Sequence, residues 1–163
     1  MSSIFNRVSI RKFKDKAVDK KDIEYILRAA MAAPSAGNQQ PWEFYVVTDK
    51  ELLRRLSKTS PYAGPVENAP MAIITAYRKD CKIPEYAQID MSIAMENMWL
   101  ATDEKGLGGV WLGIAPVEQR MKDVEDIVEI PEDQRAFGIF ALGYPDETKK
   151  QEDRFEPERI HYL

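Results

Sequence analysis

One cysteine and one histidine are all that the 163 residues hold of the two side chains on which most nucleophilic and metal chemistry rests. Cys81 alone forms no internal disulfide and builds no cysteine zinc site, which fits a reducing compartment. Its surroundings, "RKDCKIPE", offer no base to activate a thiol, so it reads as a bystander. His161 lies in a charged tail, which leaves neither a Ser-His triad nor a histidine metal cluster, and no metal is expected. No apolar run approaches the roughly 20 residues that span a bilayer. The opening "MSSIFNRVSIRKF" has no continuous apolar stretch, so neither a secretory signal nor a membrane anchor is expected, and the setting is read as cytoplasmic. Nor is there an excess of positive charge. The net charge of −4 argues against general nucleic-acid binding, which needs a basic surface. Repeats and linkers are absent, and residues 1–163 are read as a single domain.

The charge that is present is unevenly placed. Arg7, Arg11, Lys12, Lys14, Lys16, Lys20 and Lys21 crowd the first segment, where a local anion site could form. Asp19 and Asp22 then open a helix carrying Ile23, Ile26, Leu27, Ala30 and Met31, which Pro34 stops near Ala33. Residues 34–41 form a loop before a strand, "WEFYVVT" (42–48). Asp49 caps a short helix with Leu52, Leu53 and Leu56, and residues 57–70 are too proline-rich for regular structure. A second strand covers 71–77. The longest element is a helix from about Glu85 to Lys105, closed by Gly106. It is apolar nearly all round, so it should be buried on more than one side, with a partner subunit on the outer face. A third strand (109–114), a helix with Pro116 as its first residue, and a fourth strand (135–143) follow before the charged tail. Interspersed helices and strands give an α/β or α+β layered domain.

"EKGLGGVWLG" resembles a dinucleotide-binding glycine turn but fails it. The sixth position is Trp111, and the turn follows a helix and opens a strand, the reverse of the required order. Its glycines could instead let backbone approach a flat ligand. Asp90 and Glu96 on the long helix are read as a solvated face or a buried contact at the interface rather than a carboxylate pair. Met91, Met95 and Met98 are read as core filler. In "NRVSIRKF", Arg7, Ser9 and Arg11 alternate, so an extended backbone points all three one way and Val8 and Ile10 the other. Two guanidinium forks around a hydroxyl suit a phosphate or the polar rim of a planar heterocycle, and equally suit a solvated edge strand.

Taken together, "RVSIR", "AAPSAGNQQPW", "AMENMWLATDEKGLGGVWLG", "ALGYP" and "DRFEPERIHY" resemble the FMN-dependent nitroreductase family, in the same order along nearly the whole chain. The resemblance implies an α+β fold with a central, mainly antiparallel sheet flanked by helices, and an interlocked homodimer with FMN at the subunit interface. It implies phosphate binding by Arg7, a ribityl or pyrimidine contact from Ser9, and Arg11 at the N1/O2 edge of the flavin. Pro34, Ser35 and Asn38 would reach the cofactor of the opposite subunit, with Gln40 close by. Leu112, Gly113 and Ile114 would present backbone to the N5/O4 edge, and Arg154 would point at the phosphate.

The family also departs from this chain in places. Val8 stands where many members have a second basic residue, Glu152 where some have lysine, and the substrate-covering insertion of larger members is absent. The activity implied is reduction of a nitroaromatic, a quinone or a related small acceptor by NADH or NADPH. It would run by ping-pong hydride transfer through flavin N5, without a catalytic side chain and with Arg11 as an electrostatic stabiliser. The alternative is a flavin-binding module, acting as an FMN carrier, sensor or scavenger, without steady turnover.

Overall fold

The structure is a computed structural model that describes residues 2–163. Its sheet contains β1 (Trp42–Val47), β2 (Met71–Arg78), β3 (Gly108–Gly113) and β4 (Gln134–Gly143), in the order β1-β2-β4-β3 with every neighbour antiparallel. Five helices surround it: α1 (Ser3–Asn6), α2 (Lys20–Met31), α3 (Lys50–Leu56), α4 (Ala87–Glu104) and α5 (Glu118–Val128). The expected α+β class and antiparallel sheet are thus present.

Side chains alternate across a strand, and here both faces are covered. Ala72 and Ile74 of β2 and Ile139 and Ala141 of β4 join Leu53 and Leu56 of α3 and Met121 and Val124 of α5 in one core. Met71, Ile73, Phe140 and Leu142 face the other way, onto Ile26 and Ala30 of α2 and Met91, Met95 and Met98 of α4. Hence "MAIITAY" reads as a continuous apolar run rather than an alternating one. The three methionines are core filler, as expected.

Local signals place most boundaries. Asp49 accepts the Leu52 amide at 2.9 Å and caps α3. Asp19 stands at the N-cap of α2, although its side chain makes no capping bond. Gly106, at φ 69°, ends the turn after α4 in the left-handed region that favours glycine. Ser3–Asn6 forms one helical turn, which is not among the elements expected from the sequence, before the chain straightens. One expectation needs correction. Pro116 does not begin α5: it sits in a turn, and Val117 is extended at the N-cap, so the helix starts at Glu118.

Gly108 and Gly109 make room for side chains of this chain and not for a flat ligand. A Cβ on Gly108 would lie 2.6 Å from Ile10 Cγ1, and one on Gly109 2.4 Å from Phe140 Cζ. The clearance at Gly108 lets the segment after α1 lie against β3, where the Ile10 amide donates to Gly109 O at 3.0 Å, and the clearance at Gly109 admits the Phe140 ring of β4. Gly113, at the far end of β3, has no atom within 4 Å of such a Cβ. Gly109→Ala should therefore lower unfolding free energy by about 1–3 kcal/mol, the usual range for overpacking. Gly113→Ala should stay within about 0.5 kcal/mol of the wild type. Urea denaturation of the two variants checks the contrast.

Candidate functional site

Beyond Ile10, the first segment runs past the ends of β3 and β4. Phe13 pairs with Pro145, the Lys14 amide donates to Tyr144 O at 2.9 Å, and the Asp146 amide donates to Lys12 O at 2.9 Å. Val8 packs against the first core and Ile10 is buried within it, so Arg7, Ser9 and Arg11 are left at the surface of this seam. The alternation read from the sequence thus holds over residues 7–11.

Arg7, Ser9, Arg11 and Arg154 line one cleft of about 490 Å³. Lys149 and Lys150 line it as well; in the sequence both disappear into a tail of mixed charge. Glu152 is the acid on its wall. Arg7 sits over the ring of Trp99 of α4, its Cζ 4.0 Å from the ring centroid, with Nε 3.6 Å from Glu96 and the side chain only 15% exposed. Stacking on an indole fixes the plane of a guanidinium while its charge stays available to an anion. The Trp99 indole N–H is buried with no hydrogen-bond partner, an unfavourable placement that its role as a platform for Arg7 explains.

A carboxylate fastens the two walls of the cleft together. Glu147 Oε1 accepts the Arg11 amide at 2.5 Å, the Lys12 amide at 3.2 Å and Lys149 Nζ at 3.0 Å. Lys149 Nζ also donates to Ser9 O at 3.1 Å. The bond from the Arg11 amide is the main cause holding the Glu147 carboxyl below its ordinary value, with Lys149 adding to it and desolvation opposing.

The loop singled out in the sequence is anchored elsewhere. Asp90 of α4, only 2% exposed, accepts the Ala36 amide at 2.9 Å and Gln39 Nε2 at 2.6 Å. The Gln39 amide group then bridges to Ile83, donating to its O at 3.1 Å and accepting its N–H at 2.7 Å. Gly37, Asn38 and Gln40 take φ of 55°, 53° and 47°, a left-handed run that the two anchors support. Ser35 Oγ accepts the Gln40 amide at 3.0 Å, and Asn38 Oδ1 accepts Gln40 Nε2 at 3.1 Å. Pro34, Asn38 and Gln40 are exposed and Ser35 half-buried. Asp90 is thus buried against a loop of its own chain rather than at a subunit interface, and Glu96 is the partner of Arg7.

Neither this loop nor the end of β3 contributes to the cleft. Leu112 and Ile114 are buried in the first core, while Gly113 between them is exposed. One chain therefore presents three separate groups: the cationic cleft, the amide-rich loop and the open strand end. His161 is exposed, Cys81 half-buried, and among the described residues no group of three or more His, Cys, Asp or Glu could hold a metal ion.

Two outcomes follow from the anchors. Asp90→Ala strands the Ala36 N–H and one of the two Gln39 side-chain N–H donors. It should lower stability by about 1–3 kcal/mol and speed proteolytic cutting within 34–40, as urea titration and limited proteolysis would register. Glu147 has a lowered folded-state pKa, so its contribution is complete above the ordinary value of 4.5 and is lost as pH falls through the lowered one. The melting temperature of Glu147→Gln should then lie below that of the wild type at neutral pH, with the gap closing in acid.

The family model described as "Nitroreductase family" matches residues 4–61 and 60–144. A protein of Archaeoglobus fulgidus, provisionally named NADH dehydrogenase/NAD(P)H nitroreductase, is 42% identical over 168 residues, covering 99% of this chain and 95% of its own. The crystal structure of a provisionally named NADH oxidase from Clostridium acetobutylicum superposes with a TM-score of 0.95 at 44% identity, covering 98% of each chain. An FMN-dependent nitroreductase from Clostridium difficile superposes with a TM-score of 0.92 at 32% identity, covering 99% of this chain and 97% of that one. With the fold, the order of motifs and the family match in agreement over most of its length, the chain belongs to the nitroreductase family.

Proposed function

We propose that this chain is an FMN-dependent oxidoreductase that uses NADH or NADPH to reduce a nitroaromatic, a quinone or a related small acceptor. The observation that carries the reading is the meeting of Arg7, Ser9, Arg11 and Arg154 in one cleft, although they come from opposite ends of the sequence. The donor set fits the cofactor. Guanidinium forks match phosphate oxygens two by two, and five cationic residues line the cleft, with Glu152 on its wall and Glu96 and Glu147 paired to Arg7 and Lys149. The names of the relatives, NAD(P)H nitroreductase and FMN-dependent nitroreductase, support the same choice.

FMN held by these residues would supply the redox chemistry, hydride transfer through N5 between a reduced nicotinamide and the acceptor in a ping-pong cycle. The protein supplies position and charge. Arg7, held over Trp99, and Arg154 would bind the phosphate, and Ser9 would bind the ribityl or pyrimidine side. Arg11 would serve the N1/O2 edge, where a fixed cation stabilises negative charge developing on reduction. Leu112, Gly113 and Ile114 offer backbone at the open end of β3.

The amide-rich loop serves the site of a second copy, which accounts for its separation from the cleft within one chain. α4 supports the homodimer. Its buried face is complete, yet Ile89 and Ile93, one turn apart, are 54% and 36% exposed. Ile4 and Phe5 on neighbouring α1 are exposed too. A second copy is the occupant that buries this apolar surface.

Mixing the purified protein with FMN, removing the excess and recording the visible spectrum tests the reading. A yellow protein that bleaches anaerobically with NADH or NADPH and recovers when a quinone or nitroaromatic is added is the expected result. A protein that stays colourless overturns it, and one that binds FMN but is not bleached is a binding module instead.

A further inference from the structure

We propose that Lys149 is a phosphate-contacting residue of the cofactor site, supplying the charge that Val8 and Glu152 do not; this rests on the FMN reading above. Val8 packs against the first core while bordering the cleft with an apolar side chain, and Glu152 brings negative charge to the wall. Lys149 lines the same wall from the limb that follows β4, and it also borders the adjoining hollow under Trp99. Its position is set by geometry rather than left to a free surface chain. Nζ is held at 3.0 Å from Glu147 Oε1 and 3.1 Å from Ser9 O. An ammonium group has three N–H donors, so two are spent on the tether and the third remains for a ligand.

Glu147 stays ionised and offsets part of this charge, so what Lys149 brings to the cleft is a directed N–H donor as much as net charge, while the same carboxylate oxygen also accepts the Arg11 and Lys12 amides. Those amides fasten the limb to the first segment, so Lys149 stands beside Ser9 and Arg11 before any anion arrives. A cation placed in advance loses little side-chain freedom on binding, which is where a flexible lysine otherwise loses affinity. Lys149 thereby distinguishes FMN from riboflavin, which has the same ring system and no phosphate.

Flavin-free wild type, Lys149→Met and Lys149→Arg are titrated with FMN and with riboflavin, following flavin fluorescence. Lys149→Met should weaken FMN about tenfold or more, the loss of one charge-assisted hydrogen bond, and leave riboflavin within about twofold. Lys149→Arg should restore most of the FMN affinity. Equal weakening of both flavins would reduce Lys149 to a fastener of the limb, and unchanged FMN affinity would remove it from the site; either result overturns the proposal. A wild type that binds neither flavin overturns the cofactor reading itself, and the assignment of Lys149 with it.

Discussion

Burial of β2 and β4 on both faces governs where polar chemistry can sit in this molecule. Helices α2 and α4 cover one side of the sheet and α3 and α5 the other, so the central strands have no surface on which to place a charge. Functional groups are confined to strand ends, connecting loops and segments hung on the outside of β3. That outer position is available because Gly108 carries no side chain and Ile10 fills the space. The cationic cleft is thus a product of core packing: the residue that seals the core at this edge belongs to the stretch that carries Arg7, Ser9 and Arg11.

The elements that periodicity and punctuation specify were legible in the sequence. The four strands, α2, α3 and α4 fall within a few residues of where their apolar spacing, prolines and Gly106 put them. The exceptions have local causes. The single turn of α1 is too short to show a periodic pattern. Pro116 fits a first helical turn, but the extended Val117 after it delays α5. "GLGG" carries a glycine signal without saying which neighbour needs the room, and here it is Ile10 and Phe140 rather than a ligand.

The site was legible as a set of residues and illegible as an arrangement. Alternation put Arg7, Ser9 and Arg11 on one side, and the family likeness added Arg154, yet nothing in spacing indicates that residues 7 and 154 share a wall. Glu96 and Trp99 lie on a helix whose composition marks it as core, so their support of Arg7 depends on a tertiary contact. Asp90 is hidden for the same reason. Lys149 and Glu147 sit in "DETKKQEDR", where neighbouring opposite charges look like ordinary solvated tail until the seam with residues 9–12 is seen.

Helix α4 carries both Asp90, which anchors the loop, and Trp99, on which Arg7 rests. At about 1.5 Å per residue these points lie roughly 13 Å apart along one rigid rod. The rod acts as a strut shared by two otherwise unconnected parts of the surface. A slight tilt or rotation of it would carry the loop and the guanidinium platform together. Evolution can therefore retune neither end by moving the backbone of α4, and variation must be confined to the side chains mounted on it.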